Sequence, residues 1–315
     1  MRRIGLYLLL IVSLIGCTSQ EKKKTEAPEV VTTPAPAAKP KDFERPTPPL
    51  MINDPQEKAG YIVVHFWDKF DFRDTMYCHA PEITGQAFAQ FLGTFQYVPE
   101  SKIHEGVRRL MDAATVDSVM FAYFCTLAER YLYNPNSPMR NDEYYIPFVE
   151  YIVASPLIPE IEKVRPRHHL SLVHKNRPGA KANNFTYTLA SGRTGSLYDI
   201  SAPYTLLMFI NPGCTECRNT TDMLIKSSAV KAAESSGRLK VLAVYPDEDL
   251  EAWKKHANDI PPTWINSYDK PLSLTKQQLY DLKAIPTLYL LDKDKKVILK
   301  DTSVGDIHEY LERNP

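Results

Sequence analysis

Apolar residues recur at helical spacing through the first half of the chain. Five segments carry large apolar side chains every three or four positions, which places these side chains along one face of a helix. The segments are centred on Val63, Phe91, Leu110, Phe124 and Phe148. The first begins after Asp54 and Pro55, a capping acid and a proline that are typical of a helix start. We therefore predict an all-α bundle, a helical domain of unknown function, over residues 50–175.

From about residue 176 the pattern changes to strands that alternate with helices. Short apolar or alternating runs predict strands at residues 184–189, 196–200, 204–210, 240–245, 287–291 and 297–300. Helical patterns cover residues 223–233, 249–258, 274–282 and 307–313. This order predicts an α/β domain over residues 176–315, with helices around a small mixed sheet. The predicted fold class is thus two-domain, all-α followed by α/β.

The N-terminus has the pattern of an export signal. Arg2 and Arg3 precede a short apolar run, and Leu14-Ile15-Gly16-Cys17 then matches the cleavage box of bacterial lipoproteins. We interpret residues 1–16 as a lipoprotein signal peptide and Cys17 as the lipidated residue. An ordinary signal peptide or an anchor helix is the alternative, but the run is too short for a comfortable membrane span.

The segment that follows, residues 17–49, is rich in proline, alanine and threonine and predicts a disordered tether. We expect the protein to be anchored by its N-terminal lipid to a membrane of the cell envelope, with the outer membrane, facing the periplasm, as the expected site. Lys plus Arg and Asp plus Glu number 38 each, so no basic field is present that would attract nucleic acid. The hydrophobic fraction of 43% is too low for a protein that crosses a membrane several times.

The most specific chemical signal is Cys214-Thr215-Glu216-Cys217. It follows the predicted strand at residues 204–210 and the strand-breaking Asn211-Pro212-Gly213, and a helix begins there. A helix N-terminus favours the thiolate form of Cys214, which could then exchange disulfide bonds with Cys217 three residues later. A structural disulfide or half of a zinc site is the alternative. Because the sequence has no second C-x-x-C pair, we expect no metal.

The α/β half resembles the thioredoxin-like superfamily and, within it, the TlpA-like or alkyl-hydroperoxide-reductase-related branch of exported thiol-disulfide oxidoreductases. The matching segments are Phe185-Thr186-Tyr187, Leu206-Leu207-Met208-Phe209, Cys214 to Cys217, Val241-Leu242-Ala243-Val244 and Ile285-Pro286-Thr287. The helical half resembles a domain of unknown function that precedes such modules in lipoproteins of Bacteroidetes-type bacteria. Residues 131–140 and 176–179 carry that second resemblance.

The first resemblance implies a thiol-disulfide oxidoreductase without a cofactor. Cys214 would be the nucleophile and Cys217 the resolving thiol. The resemblance also implies a cis bond before Pro286, with Ile285, Pro286 and Gly213 forming the substrate-binding surface. Its expected partners are envelope proteins with disulfides and an unidentified membrane electron donor. Gly213 departs from the family, in which tryptophan is usual, and the strand at residues 204–210 has no acid that could relay a proton.

Two other functions stay open from the sequence. The protein could be a binding or scaffold lipoprotein in which the thioredoxin-like domain is catalytically silent. A thiol peroxidase is a third reading, although residues 211–214 do not show the Pro-x-x-x-Thr-x-x-Cys form of that class.

The remaining cysteines, histidines and tryptophans receive simpler interpretations. Cys78 and Cys125 could pair within the helical domain or remain buried free thiols, and the sequence does not decide between these. The polar stretch around His168, His169 and His174 predicts a solvated linker rather than a metal site. The tryptophans are expected to pack in cores, and they are Trp67, Trp253 and Trp264.

Overall fold

A computed structural model of the protein describes residues 41–315. The predicted signal peptide at residues 1–16, the predicted lipidation site Cys17 and the tether up to residue 40 lie outside the described residues. Within residues 41–315, no helix has both the length and the apolar character needed to cross a membrane.

The first half of the described chain is helical, and each of the five predicted segments forms a helix. The helices are α1 (Pro55–His65), α2 (Gln86–Gly93), α3 (Glu100–Ala114), α4 (Ser118–Leu132), α5 (Asp142–Ala154) and α6 (Val164–Val173). Asp54 caps α1 as predicted, since its side chain accepts a hydrogen bond from the backbone N–H of Glu57 at 2.9 Å. The all-α prediction for this half is confirmed.

Aromatic side chains fill the core of the helical half. The Trp67 ring packs against Phe70, Phe91 and Phe124, with ring centroids 5.1 to 5.9 Å apart. Phe43 also stacks on Trp67, with a centroid distance of 5.4 Å, and it is only 8% exposed. The predicted tether is thus corrected at its C-terminal end, because burial of the Phe43 ring holds that part of the chain on the core.

Helix α6 corrects the prediction of a solvated linker around the three histidines. His168 is exposed, but His169 is 6% exposed and stacks on the ring of Tyr133 at 4.1 Å. The sequence pattern did not reveal this burial, because His169 packs on the rings of Tyr133 and Tyr145, while His168 beside it stays exposed.

The second half forms one seven-stranded sheet with strand order β2-β1-β5-β4-β3-β6-β7 within residues 41–315. The strands are β1 (Thr186–Leu189), β2 (Thr194–Ser196), β3 (Tyr204–Phe209), β4 (Leu239–Tyr245), β5 (Ile265–Tyr268), β6 (Thr287–Leu291) and β7 (Val297–Lys300). Strand β3 pairs in parallel with β4, with Leu207 opposite Leu242, and antiparallel with β6. The predicted mixed sheet is confirmed.

Helices and turns cover both faces of this sheet. The helices of this half are α7 (Thr215–Lys226), α8 (Ser228–Ser235), α9 (Leu250–Lys255), α10 (Ser273–Lys276) and α11 (Val304–Arg313). One face of β3 packs Leu206 and Met208 in a core that includes Leu224 of α7 and Ile307 of α11. The opposite face packs Leu207 and Phe209 with Tyr280 and Tyr289. Strand β3 is therefore buried on both faces, and its end is a fixed platform for the residues that follow.

Four elements of the second half differ from prediction. The strand expected over residues 196–200 is β2, which ends at Ser196, followed by a 3₁₀ turn at Leu197–Asp199. The helix expected over residues 223–233 is two helices, because Ser227 ends α7 and caps α8. The helix expected over residues 274–282 is only the short α10, and β5 was not predicted at all.

Buried charges join the helical half to the sheet half. Nζ of Lys283 lies 2.6 Å from the Asp142 carboxylate at the start of α5 and 3.0 Å from Asp281. Nζ of Lys300 on β7 reaches the same Asp142 at 2.9 Å, and Arg140 pairs with Asp301 at 2.7 Å. Asp142, Lys283, Lys300, Arg140 and Asp301 thus each have a partner of opposite sign from the other half.

Candidate active site

The two cysteines of the C-x-x-C pair lie where β3 gives way to α7. Cys214 is the N-cap residue of α7, and its Sγ accepts a hydrogen bond from the backbone N–H of Cys217 at 3.1 Å. The Cys214 side chain is half-buried, so its sulfur is reachable from solvent. An N–H donor and the positive end of a twelve-residue helix therefore both lie beside this sulfur.

Cys217 differs sharply from Cys214, because it lies inside the domain. It is 5% exposed and belongs to the core formed by β3, α7 and α8. Burial first, and then the hydrogen bond with Cys214, raise the pKa of the Cys217 thiol to about 12. A substrate can therefore reach the sulfur of Cys214, whereas Cys217 is buried and its thiol stays protonated.

The loop before β6 lies beside the Cys214 sulfur. The Ile285–Pro286 peptide bond is cis, as the resemblance implies. The carbonyl oxygen of Ile285 lies 3.9 Å from Sγ of Cys214. The structure thus brings Ile285, Pro286 and Cys214 together across 71 residues of sequence.

Gly213 precedes Cys214 in a backbone conformation that favours glycine, with φ of +69°. A Cβ atom at this position would lie 3.3 Å from Nε2 of His256, so the imidazole packs directly against the Gly213 backbone. A histidine at the C-terminal end of α9 thus lies against the residue that precedes Cys214.

His256 is held by a carboxylate. Its Nδ1 lies 3.1 Å from Oδ2 of Asp259, which is in a short 3₁₀ turn at Ala257–Asp259. An Nη1 atom of Arg218 on α7 lies 3.9 Å from the same carboxylate oxygen. Three ionisable side chains from two separate parts of the chain therefore lie around the N-terminus of α7.

A small cavity of about 20 Å³ lies beneath these groups. Its lining includes Cys214, Cys217, Thr221, Trp253, His256 and Asp259. The Thr221 side chain is 3% exposed, and its Oγ1 has no hydrogen-bond partner within the described part of the chain. The cavity thus places an unpaired hydroxyl beside the buried thiol.

The sequence analysis did not single out His256, Asp259, Arg218 or Thr221. The three-residue spacing of His256 and Asp259 is the only local signal, since residues three apart on a helical turn can contact each other. Nothing in the sequence connects that pair to Gly213, because the contact depends on how the region after β4 returns to the start of α7.

The cysteines of the helical half lie apart from this site. Sγ of Cys78 is 3.8 Å from Sδ of Met120, whereas Cys125 lines a different cavity with Ile152 and Ile158. Both are free thiols, which is the second of the two alternatives left open by the sequence. Within residues 41–315, no group of three or more His, Cys, Asp and Glu side chains could hold a metal ion.

Comparison with known families matches both halves of the chain. A family model described as a domain of unknown function (DUF5106) matches residues 16–176, about half of the chain. A model described as thioredoxin-like matches residues 203–297, which include the cysteine pair and the Pro286 loop.

One solved structure extends the similarity to the whole described architecture. A thioredoxin-like protein from Bacteroides caccae is 48% identical, with a TM-score of 0.83, over 87% of this chain and 99% of that chain. The C-terminal domain of an uncharacterized Bacteroides fragilis protein is 51% identical over 44% of this chain and 98% of that chain, with a TM-score of 0.43.

Among curated proteins, human nucleoredoxin is 26% identical over 96 residues. These residues are 30% of this chain and only 22% of the length of nucleoredoxin. The match to DUF5106 and the similarity to the Bacteroides caccae protein both span the helical half, and the second continues through the sheet. The chain therefore belongs to the DUF5106 family, as a member in which the helical domain is followed by a thioredoxin-like α/β domain.

Proposed function

We propose that this protein is a thiol-disulfide oxidoreductase that exchanges disulfides of cell-envelope proteins through Cys214 and Cys217. One observation carries the proposal. The half-buried Cys214 sulfur accepts the Cys217 N–H at the N-terminus of α7, with the cis Ile285–Pro286 bond beside it and Cys217 buried behind it. A permanent structural disulfide needs neither an N–H donor to one sulfur nor an open approach to it.

The first step transfers a bond from the substrate to Cys214. The Cys214 thiolate attacks one sulfur of a substrate disulfide, forms a mixed disulfide and releases the second substrate sulfur as a thiolate. The Ile285 carbonyl, 3.9 Å from Sγ of Cys214, borders the path by which an extended substrate segment would approach. A backbone oxygen there can pair with any peptide N–H, so binding would depend little on the substrate sequence.

The second step releases the substrate. Cys217 loses its proton and attacks Sγ of Cys214, so that the Cys214–Cys217 disulfide forms and the first substrate sulfur leaves with the bonding electrons. Two electrons pass from the cysteine pair to the substrate. An unidentified donor at the membrane would restore the reduced pair, and the exchange itself needs no cofactor.

Substitution of each cysteine by serine tests this function in a different way. Cys214→Ser should abolish reduction of insulin disulfides, and Cys217→Ser should accumulate mixed disulfides that non-reducing gels detect. Cys125→Ser is the control, because burial raises the pKa of the Cys125 thiol to about 12 and this residue lies outside the site. Full insulin reduction by the Cys214→Ser protein would refute the proposal.

The proposed location depends on Cys17, which precedes the described residues. Lipid attached there would tether the catalytic half to a membrane of the envelope, with the outer membrane, facing the periplasm, as the proposed site. Labelled palmitate should enter the wild-type protein in a bacterial host, while a Cys17→Ser protein should remain unlabelled and fractionate with soluble proteins. Equal membrane recovery of both proteins would contradict a lipid anchor.

A scaffold function is the second candidate, and the helical half favours it. The buried Lys283, Lys300 and Asp142 fix that half to the sheet, as expected where a rigid support presents a binding surface. The reduction potential of the Cys214–Cys217 pair separates the two candidates. Redox-active pairs of this type lie at roughly −270 to −120 mV, and a value far below that range would favour the scaffold.

A further inference from the structure

The proposed exchange leaves one proton without an acceptor. Cys217 must lose its proton before it attacks the mixed disulfide, yet burial raises the pKa of its thiol to about 12. Strand β3, which runs beneath the pair as Tyr204–Phe209, has no acidic side chain that could take this proton. An acceptor must therefore come from another element that borders Cys217.

The cavity beside Cys217 supplies a path for the proton. Its volume of about 20 Å³ is enough for one water molecule, which needs roughly 10–15 Å³. The buried Thr221 hydroxyl, one helical turn after Cys217, has no partner within residues 41–315 and lines this cavity. A water molecule there would satisfy the hydroxyl, which is otherwise costly to bury.

His256 is the base that lines the same cavity. An ionised carboxylate only accepts hydrogen bonds, so Nδ1 of His256 must donate its hydrogen to Asp259 across their 3.1 Å contact. The remaining nitrogen, Nε2, then carries a lone pair, and it is this atom that packs against Gly213 at the entrance to α7. A carboxylate that fixes the tautomer in this way also stabilises the imidazolium once it forms.

The other polar side chains around the cavity are less suited than His256 to accept the proton of Cys217. Arg218 on α7 is always protonated and contacts the Asp259 carboxylate at 3.9 Å. Asn266 on β5 is neutral, and it accepts from Trp253 and donates to the backbone of Ala257. Asp259 is occupied by His256, so the free nitrogen of the histidine is the base left to receive a proton.

We infer that His256 accepts the proton of Cys217, through one water molecule in the cavity, as Cys217 resolves the mixed disulfide; this inference rests on the proposed function. The proton passes from the Cys217 thiol to Nε2 of His256, and the sulfur electrons form the Cys214–Cys217 bond. The substrate sulfur departs as a thiolate and can take the proton from the imidazolium. Asp259 and Thr221 are positioning residues, one for the ring and the other for the water.

Rapid mixing of the reduced protein with dithiobis(nitrobenzoate) separates the two chemical steps. Attack by Cys214 releases one coloured thiolate, and attack by Cys217 on the resulting mixed disulfide releases a second. In His256→Asn the first phase should keep its wild-type rate, and the second should slow by about a hundredfold at neutral pH, within the range of general base catalysis. Thr221→Val, of nearly the same shape, should slow only the second phase.

The pH profile of the second phase distinguishes a proton acceptor from a structural residue. In His256→Asn the rate should keep rising through the alkaline range as the Cys217 thiol ionises directly, because burial raises the pKa of that thiol to about 12. The wild-type rate should depend on pH less steeply there, because the imidazole takes the proton from the thiol.

His65→Asn is the matched control, because Nδ1 of His65 also contacts an aspartate three residues later, Asp68, at 2.7 Å in the helical half. It should leave both phases unchanged. A second phase of wild-type rate and pH profile in His256→Asn would overturn the assignment of His256 alone. Loss of both phases from the wild-type protein would remove the proposed function and this assignment with it.

Discussion

At the scale of single residues, the two cysteines of the pair lie in opposite environments. Cys214 accepts a backbone hydrogen bond at the surface end of α7, while Cys217 is held in an apolar core three residues later. The apolar environment raises the pKa of the Cys217 thiol and so favours its protonated form. The attacking thiol and the resolving thiol are thus separated by one helical turn, and His256 packs against the Gly213 backbone beside them.

Gly213→Ala tests how closely His256 must pack. A left-handed backbone costs a residue with Cβ about 1–2 kcal/mol, and the new Cβ would lie 3.3 Å from Nε2 of His256. The free energy of unfolding should therefore fall by about that amount. The second release of coloured thiolate should slow as well, because the ring must move. Urea unfolding and the rapid-mixing assay measure the two effects.

Gly237→Ala is the control for backbone strain. Gly237 has φ of +72°, and no atom lies within 4 Å of the position a Cβ would take. This variant should lose similar stability and keep both kinetic phases. Equal slowing in the two variants would mean that strain, and not the contact with His256, controls the second phase.

At the scale of elements, a serine divides the helix that follows the site. Ser227 ends α7, and its Oγ accepts the backbone N–H of Val230 at 3.3 Å to begin α8. The same oxygen lies 2.9 Å from Nδ1 of His308 on α11. The turn at Ser227 thereby orients α8 and α11 against the sheet face on which Cys217 of α7 also packs.

Ser227→Ala should lower the free energy of unfolding by about 1 kcal/mol, because α8 loses its N-cap. Ser228 is the matched control, since this adjacent serine is exposed and lies inside α8. Ser228→Ala should change stability by less than about 0.5 kcal/mol. Chemical unfolding of the two proteins measures the difference, and equal losses would show that Ser227 has no capping role.

The elements that sequence analysis predicted correctly are those with strong local signals. Asp54 and Pro55 mark the start of α1, and the continuous apolar run of β3 marks a strand buried on both faces. Strand β5 was missed because Ile265-Asn266-Ser267-Tyr268 does not alternate apolar and polar residues. Its buried residue, Ser267, is polar, and its hydroxyl donates a hydrogen bond to the backbone carbonyl of Ala243. Such a strand is specified by its neighbours in the sheet rather than by its own residues.

The residues of the candidate site show the same difference between local signals and tertiary packing. The spacing of Cys214 and Cys217 predicted where the helix and the sulfurs would lie, and the family resemblance predicted the cis bond at Pro286. His256 and Asp259 could not be predicted, because their position beside Gly213 arises from tertiary packing across more than forty residues of sequence. Resemblance to relatives could not supply them either, since Gly213 departs from the usual pattern there.

At the scale of the whole molecule, buried ion pairs make the two halves one structure. Asp142 at the start of α5 contacts Lys283, two residues before Ile285 in the loop that borders Cys214. Although burial opposes it, Lys283 and Lys300 lower the pKa of the Asp142 carboxyl below its usual value. The helical half thus supplies the counter-charge for a lysine of the active-site loop.

Lys283→Met should destabilise the protein by about 3–5 kcal/mol, because it removes one member of a buried ionic network and leaves Asp281 without its partner. Lys254→Met is the control, since Lys254 forms an exposed pair with Glu251 at 2.8 Å and its loss should leave the stability nearly unchanged. Urea unfolding measures both. Comparable small losses would mean that the interface does not depend on these charges.

His169 should make the stability of the whole protein depend on pH. Burial first, and then the nearby Arg165 charge, lower the pKa of His169 from 6.5 to about 4. In the unfolded chain this histidine would take up a proton near pH 6.5, whereas in the folded protein it stays neutral down to about pH 4. Between these values the unfolded state binds more protons, so the free energy of unfolding should fall as the pH is lowered through this window.

His169→Gln removes this titration while it keeps a polar group beside Tyr145, whose hydroxyl lies 3.2 Å from Nδ1 of His169. The variant should be less stable at every pH because the ring stack on Tyr133 is lost, but its stability should change less between pH 6.5 and 4. His168→Gln, at the exposed neighbour, should keep the wild-type slope. Urea midpoints across the window measure all three slopes, and the same slope in His169→Gln as in wild type would show that other groups cause the acid sensitivity. Asp142 contributes separately, since a lowered carboxyl pKa withdraws its stabilisation only at still lower pH.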